Sequence, residues 1–405
     1  MSNKAVVVHA GRRDNYQVAL ALHEAGLLKK LVTDIYFPGE KHLIESLFTL
    51  LKKKELLRLR YLQGLPSSHV SVSKRALLMS GVIKILKTAK YYPLQGEMLG
   101  AKASRIAIKN NSPIISYSTY AKEALKNHQV THRILFQHHP HPASVRKIFE
   151  EELALNPSSA NSLQSEYELS LSDGEMEDFM KEPFLANNWM AASSFTAKTL
   201  IEHGIPASGI HVVPYGVNTH DFKPKEKYNK NGKLKVIFIG SFNQRKGLSY
   251  LLEAIRKIGT KEIELILVGR GIMDKALLTS YSDILQDIRI NISLQKLLSS
   301  LYEADVFVLP SIAEGFAQVL LEAMSCGLPI ITTENTAGPD IITNGKEGFI
   351  VPIRDVAALV QKLSLFIANP DLIENMGRAA STKATYFTWE RFRAGIVEAY
   401  KKIVQ

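Results

Sequence analysis

"KVIFIGSFNQRKGLSYLLEAI", residues 235–255, has the pattern of a β-strand, a short turn and an amphipathic helix. The strand is expected to end at Gly240, and Gly247 permits the tight backbone needed where the helix starts. A short buried strand that leads directly into a helix is the repeating unit of folds built on a parallel sheet. The stretch therefore predicts an α/β domain.

The same alternation of β-branched runs and helical periodicity extends along the chain in two series. Between them, "PYGVNTHDFKPKEKYNKNGK" (214–233) has the Pro, Gly, Asn and Lys content of a linker. We therefore expect two Rossmann-like, doubly wound domains at 1–215 and 234–385, joined by a linker at 216–233. The predicted strands are 5–8, 31–34, 113–117, 133–137 and 189–192 in the first series, and 235–240, 263–269, 306–310, 329–332 and 348–351 in the second.

Size and composition are consistent with this division. A chain of 405 residues exceeds what one hydrophobic core usually holds. A content of 46% hydrophobic and 22% charged residues is typical of a soluble globular protein, and no apolar run approaches the roughly 18–20 residues of a membrane span. The first residues do not have the pattern of a signal peptide. The single cysteine, Cys326, is expected to be a packing residue in a reducing cytoplasm.

The positive charge is concentrated at one end of the sequence. The net charge is +11, yet residues 1–150 hold 24 Lys and Arg against 9 Asp and Glu, whereas the remaining residues hold 26 against 30. A basic half joined to a mildly acidic half indicates a partner with negative charge. Nucleic acid, an anionic membrane face and a phosphorylated substrate all meet that description. A polar stretch at 156–175 is expected to form an exposed loop or a short helical insertion.

Two cations stand at the start of the helix in the opening stretch. Arg245 and Lys246 lie where a helix N-terminus favours an anion, so their presence predicts an anion that neutralises them. The alternative is a pair of solvated surface cations. The turn is neither a Walker loop nor a G-x-G-x-x-G fingerprint. "LILVGRG" (265–271) ends another predicted strand in a G-x-G turn, which suits either a simple connection or close approach to a base or ribose.

Two glutamates bracket the stretch "EGFAQVLLE" (314–322) after a buried strand. On one continuous helix, Glu314 and Glu322 would stand about 12 Å apart along the axis and about 80° apart around it. That separation exceeds the roughly 5–10 Å of a carboxylate pair acting on one bond. The two side chains could instead hold opposite ends of an elongated ligand such as a nucleotide-sugar. The alternative is a Glu314 that matches the helix dipole and an incidental Glu322.

"EGFAQVLLE" also resembles the E-x7-E motif of the retaining glycosyltransferases of family 4, which have the GT-B fold. The resemblance covers residues 187–405 well, whereas the first 130 residues match only in pattern. It implies two domains that face a cleft and a last helix, at 386–405, that crosses back onto the first domain. The other matching segments are "AASSFTAKTLIEHGIPASGIHVVPYGVNTHDFKP", "GSFNQRKGLSYLLEA", "ADVFVLPSIAEGF", "LLEAMSCGLPII", "GKEGFIVP" and "FTWERFRAGIVEAYKKI".

The resemblance assigns roles in a donor site. Glu314 would contact hydroxyls of the donor sugar, Glu322 those of the ribose, and Lys246 the diphosphate. Many members have an arginine where this chain has Ser241, and Arg245 would supply the missing guanidinium. The remaining donor-binding positions implied are Gly240, Gly269 and the backbone donors of Gly315 and Phe316.

In the first domain, "HAGRRDNYQ" replaces the family's glycine-rich turn with one glycine and two arginines, which suggests an acceptor site adapted to negative charge. "RILFQHHPHP" supplies His138, His139 and His141 as candidates for the family's catalytic-cleft histidine, of which His139 is favoured because the strand runs through Gln137. A metal site is the alternative for the three histidines. Enzymes of this fold generally need no metal, so we expect no cofactor besides the nucleotide-sugar.

The resemblance implies transfer of a sugar from a UDP- or GDP-sugar to a saccharide or lipid-linked acceptor, with retention at the anomeric carbon, in cell-surface glycan or glycolipid synthesis. Lys246 and Arg245 would stabilise the departing diphosphate, and no residue is an obvious covalent nucleophile. The competing interpretations are a non-catalytic nucleotide-sugar binder, a basic membrane- or nucleic-acid-binding protein, and a GT-B epimerase or phosphorylase. No nucleic-acid-binding module is recognisable, so no nucleic acid partner is expected.

A basic segment of the first domain predicts peripheral membrane binding. Residues 41–110 hold 14 Lys and Arg against 3 Asp and Glu, and "HLIESLFTLLKKKELLRLRYL" (42–62) interleaves this charge with large apolar side chains. A basic amphipathic helix of this kind suits an anionic headgroup surface. The alternative is an apolar face packed on the sheet with solvated lysines. We therefore expect a cytoplasmic protein located at the inner face of a membrane.

Overall fold

A computed structural model describes residues 3–37, 60–86, 91–164, 166–229 and 231–405, without the side chains of Lys84 and Ile272. The predicted basic amphipathic helix at 42–62 lies outside the described residues except for its last three positions.

Strands from the first half of the chain form one seven-stranded parallel sheet, in the order β3-β2-β1-β4-β5-β6-β7. β1, β4 and β5 lie at its centre and are fully buried or nearly so, because helices cover both faces. The strands are β1 Ala5–Val8, β2 Leu28–Thr33, β3 Val70–Val72, β4 Ile114–Tyr117, β5 Arg133–Gln137, β6 Asn188–Ala191 and β7 Ile210–Val212.

The second half forms a six-stranded parallel sheet, in the order β10-β9-β8-β11-β12-β13. The strands are β8 Leu234–Phe242, β9 Ile263–Met273, β10 Asp287–Ile290, β11 Val306–Leu309, β12 Ile330–Thr333 and β13 Gly348–Val351. Each sheet has its own hydrophobic core. The predicted fold class, two parallel-sheet Rossmann-like domains, is confirmed.

Helices connect the strands and cover the sheets. In chain order they are α1 Gln17–Glu24, α2 Lys74–Leu86, α3 Tyr92–Asn110, α4 Ala121–Leu125, α5 Pro142–Leu155, α6 Ala160–Leu163, α7 Tyr167–Ser170, α8 Asp173–Lys181, α9 Ser194–Glu202, α10 Leu248–Ile258, α11 Lys275–Ser280, α12 Leu294–Glu303, α13 Val319–Ser325, α14 Gly338–Ile341, α15 Val356–Ala368, α16 Asp371–Ala384 and α17 Trp389–Val404. Where the chain is described, no single helix is long and apolar enough to cross a bilayer; α15 and α16 pass that test only as a pair, across a bend of 108°.

All ten predicted strands are present, but three of them are longer than predicted: β2 begins at Leu28 instead of 31, and β8 and β9 end later. β8 continues past Gly240 and β9 past Gly269, and their extensions pair Phe242 with Met273 beyond a shift in register. Gly240 and Gly269 therefore lie opposite each other inside the sheet. The predictions that Gly240 ends its strand, and that the strand before "GRG" ends in a turn, are wrong because these extensions pair with each other.

The helix α17 belongs to the first domain's core although it follows the second domain in the chain. Phe392, Ile396 and Tyr400 are buried among residues of the first sheet and its helices. Arg393 donates a hydrogen bond to Gln17 Oε1 (2.8 Å) and forms an ion pair with Glu24 (2.9 Å). This helix therefore ties the end of the chain to α1. The domain boundaries at 215, 233 and 385 remain predictions.

A segment of the first half packs in the opposite direction, onto the second domain. Val145 and Phe149 of α5 and Leu163 of α6 share a small hydrophobic core with Ile312 and Ala313, which follow β11. Of the two expectations for 156–175, the short helical insertion is confirmed by α6 and α7, whereas the exposed loop is wrong for the first half, where Leu163 forms a contact between the two domains.

Candidate functional site

A cleft with a volume of about 1130 Å³ opens between the two domains. Its walls come from the loops that follow strands: Gly11 after β1, His139 after β5, Arg245 after β8 and Glu314 after β11. In open α/β sheets, ligands bind outside the carboxyl ends of the strands. His139 of the first domain and Arg245, Glu314 and Gly315 of the second thus meet where a ligand is expected, whereas Lys246 and Glu322 are not among the residues that line the cavity.

Glu314 forms the centre of the second domain's wall. Its side chain is 7% exposed, and Oε1 lies 2.7 Å from Arg245 Nη1 and 2.5 Å from Lys246 Nζ. Burial would raise the pKa of Glu314, but the two cations lower it below its usual value. The carboxylate is therefore ionised, and it supplies an anion for the two cations at the start of α10.

Arg245 has a second carboxylate partner that sequence reasoning missed. Glu166, from the insertion, lies 3.1 Å from Arg245 Nε and accepts a hydrogen bond from Asn243 Nδ2 (2.8 Å). Glu166 is far from Arg245 in sequence and belongs to a polar stretch without a motif, so the sequence holds no signal for this contact. The alternative of solvated surface cations is wrong, because Arg245 and Lys246 lie among these carboxylates.

The turn that carries the two cations needs its glycine. Gly247 has a φ of +66°, and a Cβ there would lie 1.9 Å from the carbonyl oxygen of Pro310. The side chain of Asn243 accepts a hydrogen bond from the Lys246 N–H (3.3 Å) and closes the turn. The prediction of tight backbone at Gly247 is therefore confirmed.

His138 and His139 both line the cleft, whereas His141 does not. Burial, followed by the charges of Arg13 and Arg245, lowers the pKa of His139 to about 3, so its ring is neutral at physiological pH. His138 Nδ1 lies 2.9 Å from Ser118 Oγ. His141 caps α5 through a hydrogen bond from the Ala143 N–H and stacks on His203, with ring centroids 4.1 Å apart.

The three histidines therefore do not converge on one point. Among the described residues, no group of three or more His, Cys, Asp or Glu side chains is arranged to hold a metal ion. This arrangement gives no support to the metal-site alternative.

Glu314 lies before the start of the helix that carries Glu322, so the two glutamates of the motif do not share one helix. α13 begins at Val319, and Ala317 has a φ of +63°, so the helical conformation does not extend from α13 back to Glu314. Contacts with the other domain hold the loop: the Gly315 carbonyl accepts hydrogen bonds from Ser193 Oγ (2.6 Å) and Thr196 Oγ1 (3.2 Å). The separation calculated for a continuous helix therefore does not apply.

Gly315 and Phe316 also hold the domains together. A Cβ on Gly315 would lie 1.9 Å from the carbonyl oxygen of His138, so this position has no room for a side chain. The Phe316 ring is buried and meets the Tyr215 ring at 5.2 Å, edge to face. Their role as backbone donors to phosphate stays a prediction.

Glu322 lies on α13 and is mostly buried. In the described part of the chain no cation forms an ion pair with it, and burial raises its pKa to about 7. An unpaired, partly buried carboxylate is costly unless hydrogen-bond donors reach it. Hydroxyl groups of a ligand would be such donors.

Gly240, Ser241 and Gly269, which were predicted to bind the donor, lie on β8 and β9, and local packing explains their residue types to different degrees. Ser241 Oγ donates a weak hydrogen bond to the Arg270 carbonyl (3.3 Å). A Cβ on Gly269 would lie 2.5 Å from the Phe242 ring, so packing alone requires this glycine. A Cβ on Gly240 would meet only ordinary contacts, 3.6 Å from Lys246.

The chain resembles known glycosyltransferases in sequence and in structure. Residues 233–369 match the family described as Glycosyl transferases group 1. The chain is 29% identical over 222 residues to MMP alpha-(1->4)-mannosyltransferase of Mycolicibacterium hassiacum, covering 53% of each chain. The chain thus spans about half the length of the curated relatives it matches.

Two solved structures share the whole fold at low sequence identity. Sucrose-phosphate synthase from Thermosynechococcus elongatus has a TM-score of 0.65 at 18% identity, and 99% of each chain is covered. Anabaena HepE, solved in complex with UDP and glucose, has a TM-score of 0.61 at 13% identity, covering 98% of this chain and 99% of that one. Residues 233–369 therefore resemble the glycosyl transferases group 1 family, in a chain whose two domains have the fold of GT-B glycosyltransferase structures.

Proposed function

We propose that this protein is a retaining glycosyltransferase of family 4, which transfers a sugar from a UDP- or GDP-sugar to a saccharide or lipid-linked acceptor. One observation carries the proposal: Glu314 forms ion pairs with Arg245 and Lys246 on one side of the cleft, and a neutral His139 lines the same cleft from the first domain. The E-x7-E motif and the family match of the second domain support the same assignment.

The two cations suit a leaving diphosphate. In transfer, the bond between the anomeric carbon and the diphosphate oxygen breaks, and that oxygen keeps the electron pair. Arg245 and Lys246 would stabilise the charge on it without a metal ion. The acceptor hydroxyl forms the new bond on the same face of the sugar and gives its proton to the departing diphosphate oxygen. A neutral His139 can accept a hydrogen bond from a sugar hydroxyl, which would orient the donor.

Glu322 supports the proposal that the sugar donor contains a nucleotide. A ribose has two adjacent hydroxyl groups, which can donate two hydrogen bonds to one carboxylate. Such bonds would compensate the burial that raises the pKa of Glu322. This assignment makes the nucleotide-sugar the co-substrate, with no further cofactor.

The test is a panel of UDP- and GDP-sugars, scored by thermal stabilisation of the protein and by slow hydrolysis of the donor. One nucleotide-sugar should stabilise the protein, and NMR of the product should show the donor's anomeric configuration. Glu314→Gln should lower transfer by about 10²-fold or more while the melting temperature stays near that of the wild type. A folded Glu314→Gln variant with most of its activity would refute the role of Glu314. Binding without hydrolysis or transfer for every donor would favour the non-catalytic alternative.

We further propose that the protein works in the cytoplasm at the inner face of a membrane, in glycan or glycolipid synthesis. Part of the basic segment 41–110 is described, and there α2 exposes large apolar side chains: Leu78 is 73% and Ile85 80% exposed. Lys74 and Arg75, at the start of α2, are exposed as well. Exposed apolar and cationic side chains on one helix suit an anionic lipid surface.

A further inference from the structure

Three arginines gather at the end of the cleft that belongs to the first domain. Arg12 and Arg13 follow Gly11 after β1, and Arg60 approaches from a later part of the chain; all three line the cavity. Arg12 Nε and Arg60 Nη1 are buried N–H groups without a hydrogen-bond acceptor among the described residues. Burial, together with the charge of Arg60, lowers the pKa of Arg12. These groups lie close enough to repel each other.

The carboxylates nearby do not balance this charge. Asp34 is 3.9 Å from Arg60 Nη1, and its two oxygens accept hydrogen bonds from the Gly11 N–H and from Ser80 Oγ, each at 2.8 Å. Asp14 follows Arg13 in the chain, and burial raises its pKa to about 7, so near neutral pH it is only partly ionised. Among the described residues, the three guanidinium groups therefore face two carboxylates, and one of these, Asp14, is only partly ionised near neutral pH.

The backbone that presents Arg12 and Arg13 is unusual. Asp14, Asn15 and Tyr16 have consecutive φ values of +41°, +53° and +62°, a conformation that is costly for residues other than glycine. Asp14 Oδ2 holds the turn by accepting hydrogen bonds from Tyr117 Oη (2.6 Å) and the Val18 N–H (2.9 Å). Such a strained turn is retained where the surrounding structure requires it, commonly at a ligand site.

Arg13 connects this cluster to the proposed reaction centre. Arg13 Nη2 donates a hydrogen bond to Tyr120 Oη (3.1 Å), which holds the side chain in the cleft. The charge of Arg13 lowers the pKa of His139, as does that of Arg245 in the second domain. His139 therefore lies between two groups of cations, one from each domain. Only the second group adjoins Glu314.

We propose that Arg12, Arg13 and Arg60 bind an oxyanion, a phosphate or a carboxylate, carried by the acceptor. The inference rests on the proposed function, and it names the acceptor as an anionic saccharide. Planar guanidinium groups match the geometry of both oxyanions, and Arg12 Nε and Arg60 Nη1 have no hydrogen-bond acceptor within the described part of the chain. The acceptor's anion would lie at the first domain's end of the cleft, and the donor's diphosphate would lie at Arg245 and Lys246.

The experiment measures binding to the full chain by calorimetry, with glucose 6-phosphate, glucuronate and glucose as acceptor probes and UDP as an independent probe of the donor site. Arg12→Gln and Arg60→Gln remove one guanidinium each, and Arg60→Lys keeps the charge if the glutamine variants fold poorly. Arg245→Gln alters the other cation group. Arg105→Gln, an exposed arginine on α3, is the control.

We expect at least one anionic probe to bind about tenfold more tightly than glucose, since a hydrogen bond to a charged group contributes that much or more. Arg12→Gln and Arg60→Gln should remove this preference. They should leave UDP affinity within about twofold of the wild type, because the two proposed sites share no residue. Arg245→Gln should weaken UDP binding and keep the preference. The stronger of the two anionic probes identifies phosphate or carboxylate.

Two results would overturn the inference: equal binding of all three saccharides, or a preference that survives in both Arg12→Gln and Arg60→Gln. Loss of the preference in Arg245→Gln alone would place the anion in the donor site and also overturn it. If neither UDP nor GDP binds the wild type but the arginine-dependent preference persists, the proposed function fails while the anion site stands.

Discussion

Single residues in the second domain's wall show how buried charges are balanced without a ligand. Arg245 and Lys246 contact Glu314, and Arg245 also contacts Glu166, so two cations face two carboxylates. The sequence argument that the cations need an anion was correct in its physics. The sequence also identified Glu314 as a candidate residue, but it did not show that Glu314 is the anion that neutralises Arg245 and Lys246. That pairing joins loops after β8 and β11, and only the fold brings them together.

The first residue-scale prediction concerns Lys246. Lys246→Ala should lower kcat by about 10²-fold, because a buried cation at the departing diphosphate acts mainly on the transition state. Steady-state kinetics with the nucleotide-sugar found in the panel would measure it. Lys257→Ala, an exposed lysine near the end of α10, is the control and should be close to wild type. A change in KM alone would mean that Lys246 binds the donor without stabilising the leaving group.

The second prediction is a pH-dependent stability of Glu322→Gln. The pKa of Glu322 is raised to about 7 in the folded protein, so its carboxyl group costs little stability below about pH 4.5 and progressively more as pH rises through 7. The variant removes that cost. It should therefore be more stable than the wild type at pH 8, by on the order of 1–2 kcal/mol, and gain much less at pH 5.

Urea denaturation of both proteins at pH 5 and pH 8 would measure this difference. Glu177→Gln, an exposed glutamate on α8, is a suitable control and should show little change at either pH. An equal gain at both pH values would show that the ionised carboxylate is solvated or paired. The same variant should bind UDP more weakly, because it loses an ionised acceptor for the ribose hydroxyls.

Secondary-structure elements differ in how well the sequence predicts them. The ten predicted strands include the central strands of both sheets, whose continuous apolar runs follow from burial on both faces. The three strands that were missed, β3, β7 and β10, are all edge strands and are only partly buried. Half-exposed edges have mixed composition, so their sequences resemble loops. The start of α13 was misplaced for another reason, since contacts with α9 hold the loop before it.

The insertion that begins after α5 is a longer segment whose environment could not be predicted from its composition. Its polar composition suggested exposure, but Leu163 within it is fully buried against the second domain. Glu152, in α5 just before the insertion, is fully buried as well, and its oxygens accept hydrogen bonds from Gln244, Tyr250 and Arg354 of the second domain. Glu166 extends this contact to Arg245. The insertion thus supplies a carboxylate to the proposed diphosphate site, and a bound diphosphate would compete with it.

The element-scale prediction follows from that competition. Glu166→Gln should strengthen UDP binding by about fivefold, because Arg245 loses one of its two anionic partners and the site becomes more positive. Calorimetry at low ionic strength would measure the affinity. Glu150→Gln, an exposed glutamate on α5, is the control. Weaker UDP binding by Glu166→Gln would mean instead that Glu166 positions Arg245 for the diphosphate.

At the scale of the whole molecule, the two domains are linked by more than their connecting chain. α17 returns to the first domain, α5 and α6 reach the second, and Gly315 is held by α9 across the cleft. The sequence predicted the cleft and the returning helix through the family resemblance. It did not predict the contacts of α5 and α6, because their apolar residues look like those of any amphipathic helix.

The last prediction concerns the surface of the first domain. Purified protein should co-sediment with liposomes that contain anionic lipid and much less with neutral ones. Each basic residue near such a surface contributes about 1 kcal/mol, so a few of the 14 in residues 41–110 suffice for reversible binding. The double variant Leu78→Glu with Ile85→Glu should weaken the binding, because both side chains are exposed on α2 and their replacement adds negative charge.

The dependence on salt concentration and a matched control variant distinguish this electrostatic membrane binding from nonspecific adsorption. Binding should fall steeply as added salt shortens the range of electrostatic attraction to less than about 10 Å. Leu155→Glu also replaces a strongly exposed leucine of the first half, at the end of α5, and should bind like the wild type. Equal and negligible pelleting with both lipids at low salt would contradict membrane binding. The basic charge of the first half would then be explained by a soluble anionic acceptor, which the cluster of Arg12, Arg13 and Arg60 is placed to bind.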